Sequence, residues 1–248
     1  MIPKKIHYCW LSNNPLPELA QRCLASWKKK LPDYEIILWD LNKFDINSCL
    51  WTKECFDSKK YAFAADYIRL YALYTEGGIY LDSDVEVIRS FDLFLNYKSF
   101  IGFETSGDIE PAIIGAEPGS LWIKECLNHY KDRHFIKPDN SFDTKPLPLI
   151  VEKELKKTLN IKNFNRTKIF KNDKISIYPS EYFSPKSFHT KDIYITNNTV
   201  CIHHFDGSWI KSSFFNKIKI ISHLFIIRLV GRSSHKKIVN LIRKIITK

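Results

Sequence analysis

The chain has 248 residues, 44% of them hydrophobic and 26% charged, which is enough for one large α/β domain or two small ones. Its net charge of +11 is concentrated near the end, because residues 211–248 contain ten basic residues and no acidic one. Residues 1–210 contain 28 basic and 27 acidic residues, and this balance argues against a nucleic-acid-binding body. The six cysteines are scattered without metal-site or disulfide spacing, and neither a signal peptide nor a membrane-span-length apolar run is evident. These features predict a cytoplasmic protein.

The first part of the chain predicts an alternation of strands and helices. Residues 3–10 read as a strand and residues 16–30 as a helix that ends before Pro32. Residues 34–39 form a second apolar strand pattern, and residues 40–60 are polar and aromatic, which predicts short helices. This order is typical of a nucleotide-binding α/β unit.

The segment 59–87 contains the strongest local pattern in the sequence. Apolar residues at helical spacing, which are Tyr61, Ala64, Ile68 and Ala72, predict a helix that docks on a core. Gly77-Gly78 fits the positive-φ position just past a helix end, and residues 79–81 have the hydrophobicity of a central strand.

Two carboxylates, Asp82 and Asp84, follow that strand directly. Ligand sites of open α/β sheets lie outside the carboxyl ends of strands, and hard oxygen ligands there suit Mg²⁺ or Mn²⁺. An isolated Asp-x-Asp is more often a solvated turn, so the pattern alone leaves both interpretations open.

Beyond Val87 the chain again predicts alternating elements. Strand patterns occur at 98–103, 112–115 and 200–204, and helix patterns at 120–130 and after Pro148. The last strand pattern ends in His203-His204. Taken alone, such a pair is more often a surface pair or a satisfied core histidine than a metal ligand.

The string DYIRLYALYTEGGIYLDSDV, at residues 66–85, resembles the sugar-binding segment of family 32 glycosyltransferases of the DXD-containing, capsule-synthesis type, and more distantly the glucosylating clostridial toxins. The closing His-x-x-x-x-Ser-Trp at 203–209 resembles another motif of this family. The resemblance implies a GT-A-like α/β domain with a mixed central sheet over residues 1–210. It also implies a retaining, metal-dependent transfer of a hexose from a nucleotide sugar, expected to be UDP-linked, to a glycan acceptor that is lipid-linked, in capsule or surface polysaccharide synthesis.

The resemblance assigns expected roles to individual residues. Mn²⁺ or Mg²⁺ would be bound by Asp82, Asp84 and His203, with His203 preferred over His204. The sugar hydroxyls would be held by Asp66 and Arg69, which lie three residues apart on one helix face. The nucleotide would be contacted by Tyr8, Cys9, Trp10, Asp82, Ser208 and Trp209. Trp10 would stack on the base, whereas the residues alone leave open the alternative that it is a core aromatic.

Two positions depart from the family pattern. Ala65 stands where the family usually has Ser before the helix Asp, so the identity of the donor sugar stays open. Lys145 precedes Pro146 where relatives often have Gly, so acceptor contacts cannot be carried over.

Residues 211–248 differ in kind from the rest of the chain. Lys and Arg alternate with Ile, Leu and Phe in a pattern that predicts two basic amphipathic helices. Such helices favour an anionic membrane surface, here the inner face of the plasma membrane, and the alternative is packing on the body or on another subunit. Two rival functions stay open: a metal-dependent phosphohydrolase or nuclease, and a non-catalytic membrane- or nucleic-acid-binding protein.

Overall fold

A mixed sheet of seven strands forms the centre of the protein. The computed structural model describes residues 1–206. The strands of this sheet are, in chain order, β1 (Lys5–Cys9), β2 (Glu35–Trp39), β3 (Gly78–Leu81), β5 (Ser99–Phe103), β6 (Ile109–Ala116), β7 (Phe170–Lys171) and β8 (Ser176–Tyr178). Two further strands, β4 (Val85–Val87) and β9 (Cys201–His203), form a separate antiparallel pair.

The helices agree with the predicted order. They are α1 (Glu18–Lys30), α2 (Leu50–Asp57), α3 (Tyr61–Glu76), α4 (Leu121–Asn128), α5 (Leu147–Leu159) and the short α6 (Ser180–Phe183). Together with a 3₁₀ turn at Ile46–Ser48, α2 confirms the short helices expected between β2 and α3. Each element predicted within residues 1–206 is present, and most bounds shift by only one to three residues.

The sheet has the spatial order β2-β1-β3-β6-β5-β8-β7. Strand β1 is parallel to both β2 and β3, whereas β6 runs antiparallel between β3 and β5. The prediction of an α/β fold with a mixed central sheet is therefore confirmed. Because β1 and β3 are parallel neighbours, their carboxyl ends lie side by side at one edge of the sheet.

Alternation along β3 separates the two sides of the core. Ile79 and Leu81 belong to one buried cluster, together with Trp27 of α1, while Tyr80 belongs to the other, together with Ile68 of α3. Successive side chains of a strand point to opposite faces, so the two clusters cover the two faces of the sheet. Strand β3 is buried on both sides, as a central strand must be.

The junction between α3 and β3 requires both of its glycines. Gly77 has φ 64° and Gly78 has φ 107°, and a Cβ on either would lie within 3 Å of Pro118 or Lys5 atoms. The carbonyl of Gly77 accepts a hydrogen bond from His7 Nε2 at 2.7 Å. This junction sets where β3 starts, and therefore where the residues after it emerge.

The β4–β9 pair joins the middle of the chain to the end of its described part. Val85 pairs with His203 and Val87 with Cys201, so the strand that follows Asp84 lies against the strand that ends in His203. Among residues 1–206, no helix is both long enough and apolar enough to cross a membrane. The predicted boundary at 210, the amphipathic helices of 211–248, and Ser208 and Trp209 lie outside the described residues.

Candidate active site

The candidate site lies where β1 and β3 end. Asp82 follows the last residue of β3, and its backbone N–H donates to the carbonyl of Ala112 at 2.9 Å, which extends the pairing with β6. Val85 N–H donates to the Asp82 carbonyl at 2.9 Å, and this tight turn presents Asp82 and Asp84 at the same edge. The Asp-x-Asp is therefore part of the sheet edge, as the sequence predicts.

Asp82, Asp84 and His203 come together at this edge. Each offers one ligand atom, and the three atoms all lie within 4.8 Å of one another. Asp84 is fixed from two sides, because its carbonyl accepts from His204 N–H at 3.1 Å and its Oδ2 accepts from Asp206 N–H at 2.9 Å. The β4–β9 register thus brings the predicted set of metal ligands together.

His203 and Asp84 form an ion pair. His203 Nε2 lies 3.4 Å from Asp84 Oδ1, and both side chains are largely buried. Burial acts to raise the pKa of Asp84, but the hydrogen bond and charge of His203 outweigh it and lower the pKa to about 2. Burial acts to lower the pKa of His203, but the neighbouring carboxylates of Glu110 and Asp84 raise it well above its usual value. Metal binding by His203 would need a neutral imidazole, so a cation at Nε2 would replace the proton there.

The donor set fits a divalent cation of the expected kind. Two carboxylates and one imidazole nitrogen are ligands that Mn²⁺ accepts, whereas Mg²⁺ strongly prefers oxygen. His203 makes Mn²⁺ the better match of the two ions. The imidazole nitrogen must lose its proton before it can bind a metal ion, so binding of the cation would release a proton.

Arg69 joins the helix to the sheet edge. Its Nη2 lies 2.9 Å from Asp66 Oδ1, while its Nη1 lies 3.3 Å from both Asp82 oxygens and donates to the Pro111 carbonyl at 2.9 Å. The guanidinium also lies 4.8 Å from the centre of the Tyr80 ring, whose hydroxyl donates to Asp82 Oδ1 at 3.1 Å. Asp66, Arg69 and Asp82 therefore form one connected group beside the predicted ligands Asp84 and His203.

The charge state of Asp66 follows from this packing. Burial raises the pKa of Asp66 to about 6, with Arg69 acting in the opposite direction and Asp82 adding to the rise. The carboxylate is still ionised at neutral pH, and it can accept hydrogen bonds from hydroxyl groups. A carboxylate and a guanidinium side by side form a suitable pair for sugar hydroxyls.

The expected nucleotide side of the site is formed by the end of β1. Trp10 is half-buried outside both core clusters, and its indole N–H donates to the Asn14 carbonyl at 2.8 Å. The alternative of a core aromatic is therefore wrong, and base stacking stays a prediction. The Tyr8 ring packs edge-on against Trp27 at 5.5 Å, and burial raises the pKa of the Cys9 thiol, so both offer mainly backbone groups to a ligand.

His204 points away from the three ligand atoms. Its Nε2 lies 2.9 Å from Glu86 Oε2, and both residues line a cleft of about 210 Å³ beside α1. The preference for His203 over His204 as the ligand agrees with these positions.

Glu110 is the residue of this site that the sequence analysis missed. It lies on β6, is 5% exposed, and its Oε2 is 3.0 Å from His203 Nδ1. The rival phosphohydrolase reading expects a larger cluster of metal-binding carboxylates, but both Glu110 oxygens are already engaged by His203, Ser184 and the backbone of Ala112. Only the place of Glu110 before Pro111 in an apolar segment hints at its position.

The comparison with protein families concerns the same part of the chain. Residues 17–101 match the glycosyltransferase sugar-binding region containing DXD motif. This match includes α1, all of α3 and the Asp82-Ser83-Asp84 turn. The Asp66–Arg69 pair and two of the three predicted metal ligands therefore fall within it. It supports the expectation of an enzyme that transfers sugars.

Curated relatives extend the comparison. The chain is 30% identical over 135 residues to the inositol phosphoceramide mannosyltransferase 3 of Schizosaccharomyces pombe, covering 52% of this chain and 37% of the relative. It is 28% identical over 208 residues to a mannosyl phosphorylinositol ceramide synthase of Saccharomyces cerevisiae, covering 77% of this chain and 54% of the relative. The chain thus spans about a third to a half of these relatives. Among solved structures, the PaToxG glycosyltransferase is 18% identical with a TM-score of 0.48, covering 64% of this chain and 70% of the other.

Proposed function

We propose that this protein is a metal-dependent glycosyltransferase that moves a hexose from a nucleotide sugar to a hydroxyl acceptor. The observation that carries the proposal is the meeting of Asp82, Asp84 and His203 beside the Asp66–Arg69 pair. One group suits a cation and a diphosphate, and the other suits sugar hydroxyls. The family match over residues 17–101 supports the same activity.

The Asp66–Arg69 pair orients the donor sugar in this proposal. Arg69 is held by Asp66, Asp82 and the Pro111 carbonyl, so its free N–H groups keep a fixed direction. Fixed donors and acceptors hold the anomeric carbon toward the acceptor, and such positioning supplies a large part of catalysis. Asp82 is oriented by Tyr80 and Arg69, and in this proposal it also binds the ribose of the donor.

Asp84 and His203, with help from Asp82, would hold the divalent cation. When bound, that cation supplies positive charge against the diphosphate as the sugar–phosphate bond breaks. The resemblance to family 32 implies retention of configuration. Because the nearby carboxylates Asp66 and Asp82 are both paired with Arg69, we favour attack of the acceptor hydroxyl on the same face over a covalent intermediate.

The finer substrate assignments belong to the proposal as well. The resemblance of the sequence favours a UDP-linked hexose and an acceptor in capsule or surface polysaccharide synthesis. Several curated relatives carry names of mannosyl transfer to inositol phosphoceramide, which supports a lipid-linked acceptor and adds mannose to the candidate sugars. Donor and acceptor panels should therefore include UDP- and GDP-linked hexoses and both glycan and glycolipid acceptors.

We also propose that residues 211–248 hold the enzyme at the inner face of the plasma membrane. The support is the sequence pattern of ten basic residues interleaved with large apolar ones. Each cation near anionic headgroups contributes about 1 kcal/mol, and several together retain a protein at the surface. A chain that ends near Lys211 should lose salt-sensitive sedimentation with phosphatidylserine vesicles. Equal sedimentation of both chains at low salt would refute this part.

The activity is tested by pairing Asp84→Asn with a panel of nucleotide sugars in Mn²⁺. We expect the wild-type protein to cleave at least one donor, and Asp84→Asn to lose this activity without losing its fold. Asp57→Asn is the matched control, because Asp57 is an exposed carboxylate paired with Lys53 on α2. Full activity of Asp84→Asn, or of the wild type in EDTA, would refute metal dependence. Release of sugar phosphate and nucleoside monophosphate, with no free sugar and no transfer to any acceptor in the panel, would favour the phosphohydrolase.

A further inference from the structure

Glu110 is placed by an irregularity in the sheet. Strands β5 and β6 pair in regular register as far as Ile101 with Ile114, but the next pair is Gly102 with Glu110. The three residues between them on β6 are therefore extra with respect to β5. Such bulges redirect side chains and are common next to active sites. Here the bulge releases the Pro111 carbonyl to Arg69 and directs Glu110 toward His203.

The Glu110 carboxylate is held at both oxygens. Oε1 accepts the Ala112 N–H at 3.1 Å, and Oε2 accepts the Ser184 hydroxyl at 3.1 Å while lying 3.0 Å from His203 Nδ1. Burial of an ionised carboxylate is unfavourable unless it is paired and hydrogen-bonded. Within residues 1–206, the cationic group recorded within 4.0 Å of Glu110 is the imidazole of His203.

This contact determines which nitrogen of His203 is available. With Nδ1–H donated to Glu110, Nε2 is the nitrogen that faces Asp84, at 3.4 Å. The Phe205 ring packs on the imidazole with 4.0 Å between ring centres and limits its rotation. Ligating histidines commonly donate their second N–H to a carboxylate, which fixes the tautomer and the ring orientation.

We propose that Glu110 is a positioning residue that fixes the tautomer and the orientation of His203, so that Nε2 faces the cation site formed with Asp82 and Asp84. The inference rests on the proposed metal dependence. Glu110 contacts neither the donor nor the cation in this proposal, and it acts only through His203. Ser184 and the bulge at 110–113 keep Glu110 itself in place.

Mn²⁺ titration calorimetry of the full-length protein tests this inference in three Glu110-related variants. Glu110→Ala should weaken Mn²⁺ binding about 10- to 100-fold, the usual cost of losing such a partner. Glu110→Gln should lose less Mn²⁺ affinity than Glu110→Ala, because its amide oxygen still accepts the Nδ1–H of His203. Ser184→Ala should lose the least affinity of the three. Glu154→Gln is the matched control, since Glu154 is 7% exposed on α5 and pairs with Lys157 outside the site.

Unfolding in EDTA separates positioning from a structural role. If Glu110→Ala and Glu110→Gln lose stability but bind Mn²⁺ as tightly as the wild type, Glu110 is only structural and the inference is wrong. Equal losses of affinity in Glu154→Gln would also overturn it. If the wild type itself binds no Mn²⁺ and needs none to cleave donors, the metal-dependent function fails, and the inference fails with it. If the wild type binds Mn²⁺ and Glu110→Ala binds it equally tightly, only the inference about Glu110 fails, and the metal-dependent function stands.

Discussion

Replacement of Arg69 by Met should both destabilise the protein and abolish donor cleavage. The Arg69 side chain is 7% exposed and contacts Asp66 at 2.9 Å, Asp82 at 3.3 Å and the Pro111 carbonyl at 2.9 Å. Removing one partner of a buried ion pair costs about 3–5 kcal/mol because a charge is left uncompensated. The partners Asp66 and Asp82 retain 17% and 28% exposure, so the lower end, about 3 kcal/mol, is expected.

The pKa of Asp66 makes the prediction sharper. That pKa is already raised to about 6 by burial, and without Arg69 it would rise further, so Asp66 would take up a proton near neutral pH. The double variant Arg69→Met/Asp66→Asn should therefore recover about 1–2 kcal/mol of the loss, since the uncompensated charge is gone. Urea unfolding at pH 7.5 measures both values.

Arg133→Met provides the control for this experiment. Arg133 forms a comparable pair with Asp143 at 2.6 Å and lies 4.3 Å from the centre of the Trp51 ring, and neither partner is a predicted site residue. We expect it to lose stability but to keep donor cleavage. The reasoning is refuted if Arg69→Met unfolds within 0.5 kcal/mol of the wild type, or if the double variant is less stable than Arg69→Met alone.

Three further predictions concern the nucleotide, the histidine pair and pH. Trp10→Ala should weaken nucleotide binding by about 1–3 kcal/mol with little change in unfolding, and unchanged affinity with poor stability would contradict base stacking. His203→Ala should raise the Mn²⁺ concentration needed for half-maximal activity more than His204→Ala does, and the opposite ranking would exclude His203 as ligand. Burial lowers the pKa of His129 to about 4, so the unfolded chain protonates first as the pH falls. The free energy of unfolding should therefore decrease between pH 6.5 and pH 4, by on the order of 1 kcal/mol after allowance for partial exposure. Thermal unfolding of His129→Gln should lack this decrease.

The part of the site that the sequence predicts best is local. One continuous segment contains helix α3, the Gly77-Gly78 junction, strand β3 and the Asp82-Ser83-Asp84 turn. The spacing of its apolar residues and its glycines therefore suffices to predict these elements. Asp66 and Arg69 share a face because they are three residues apart, which is also a local property. His203 could be chosen only through its resemblance to a motif, since its neighbours along the chain do not distinguish it from His204.

Glu110 shows what local patterns do not contain. Its role depends on a register shift between β5 and β6 and on partners that lie 74 and 93 positions away. The sequence near it reads as an ordinary acidic residue before Pro111. A bulge changes which face a side chain occupies, so no count of alternating residues could assign Glu110 to the site.

The pairing of β4 with β9 also has a consequence for when the site is assembled. Asp84 and Asp206, which are joined by a hydrogen bond, are 122 positions apart, and β9 is the last strand of the described chain. Contacts between distant segments form only after the loop between them has closed, whereas α3 and β3 need only neighbouring residues. During synthesis the Asp66–Arg69 pair can therefore be in place while the proposed cation site is still missing His203. A nascent chain released before His203 would carry the Asp-x-Asp turn but not the complete cation site.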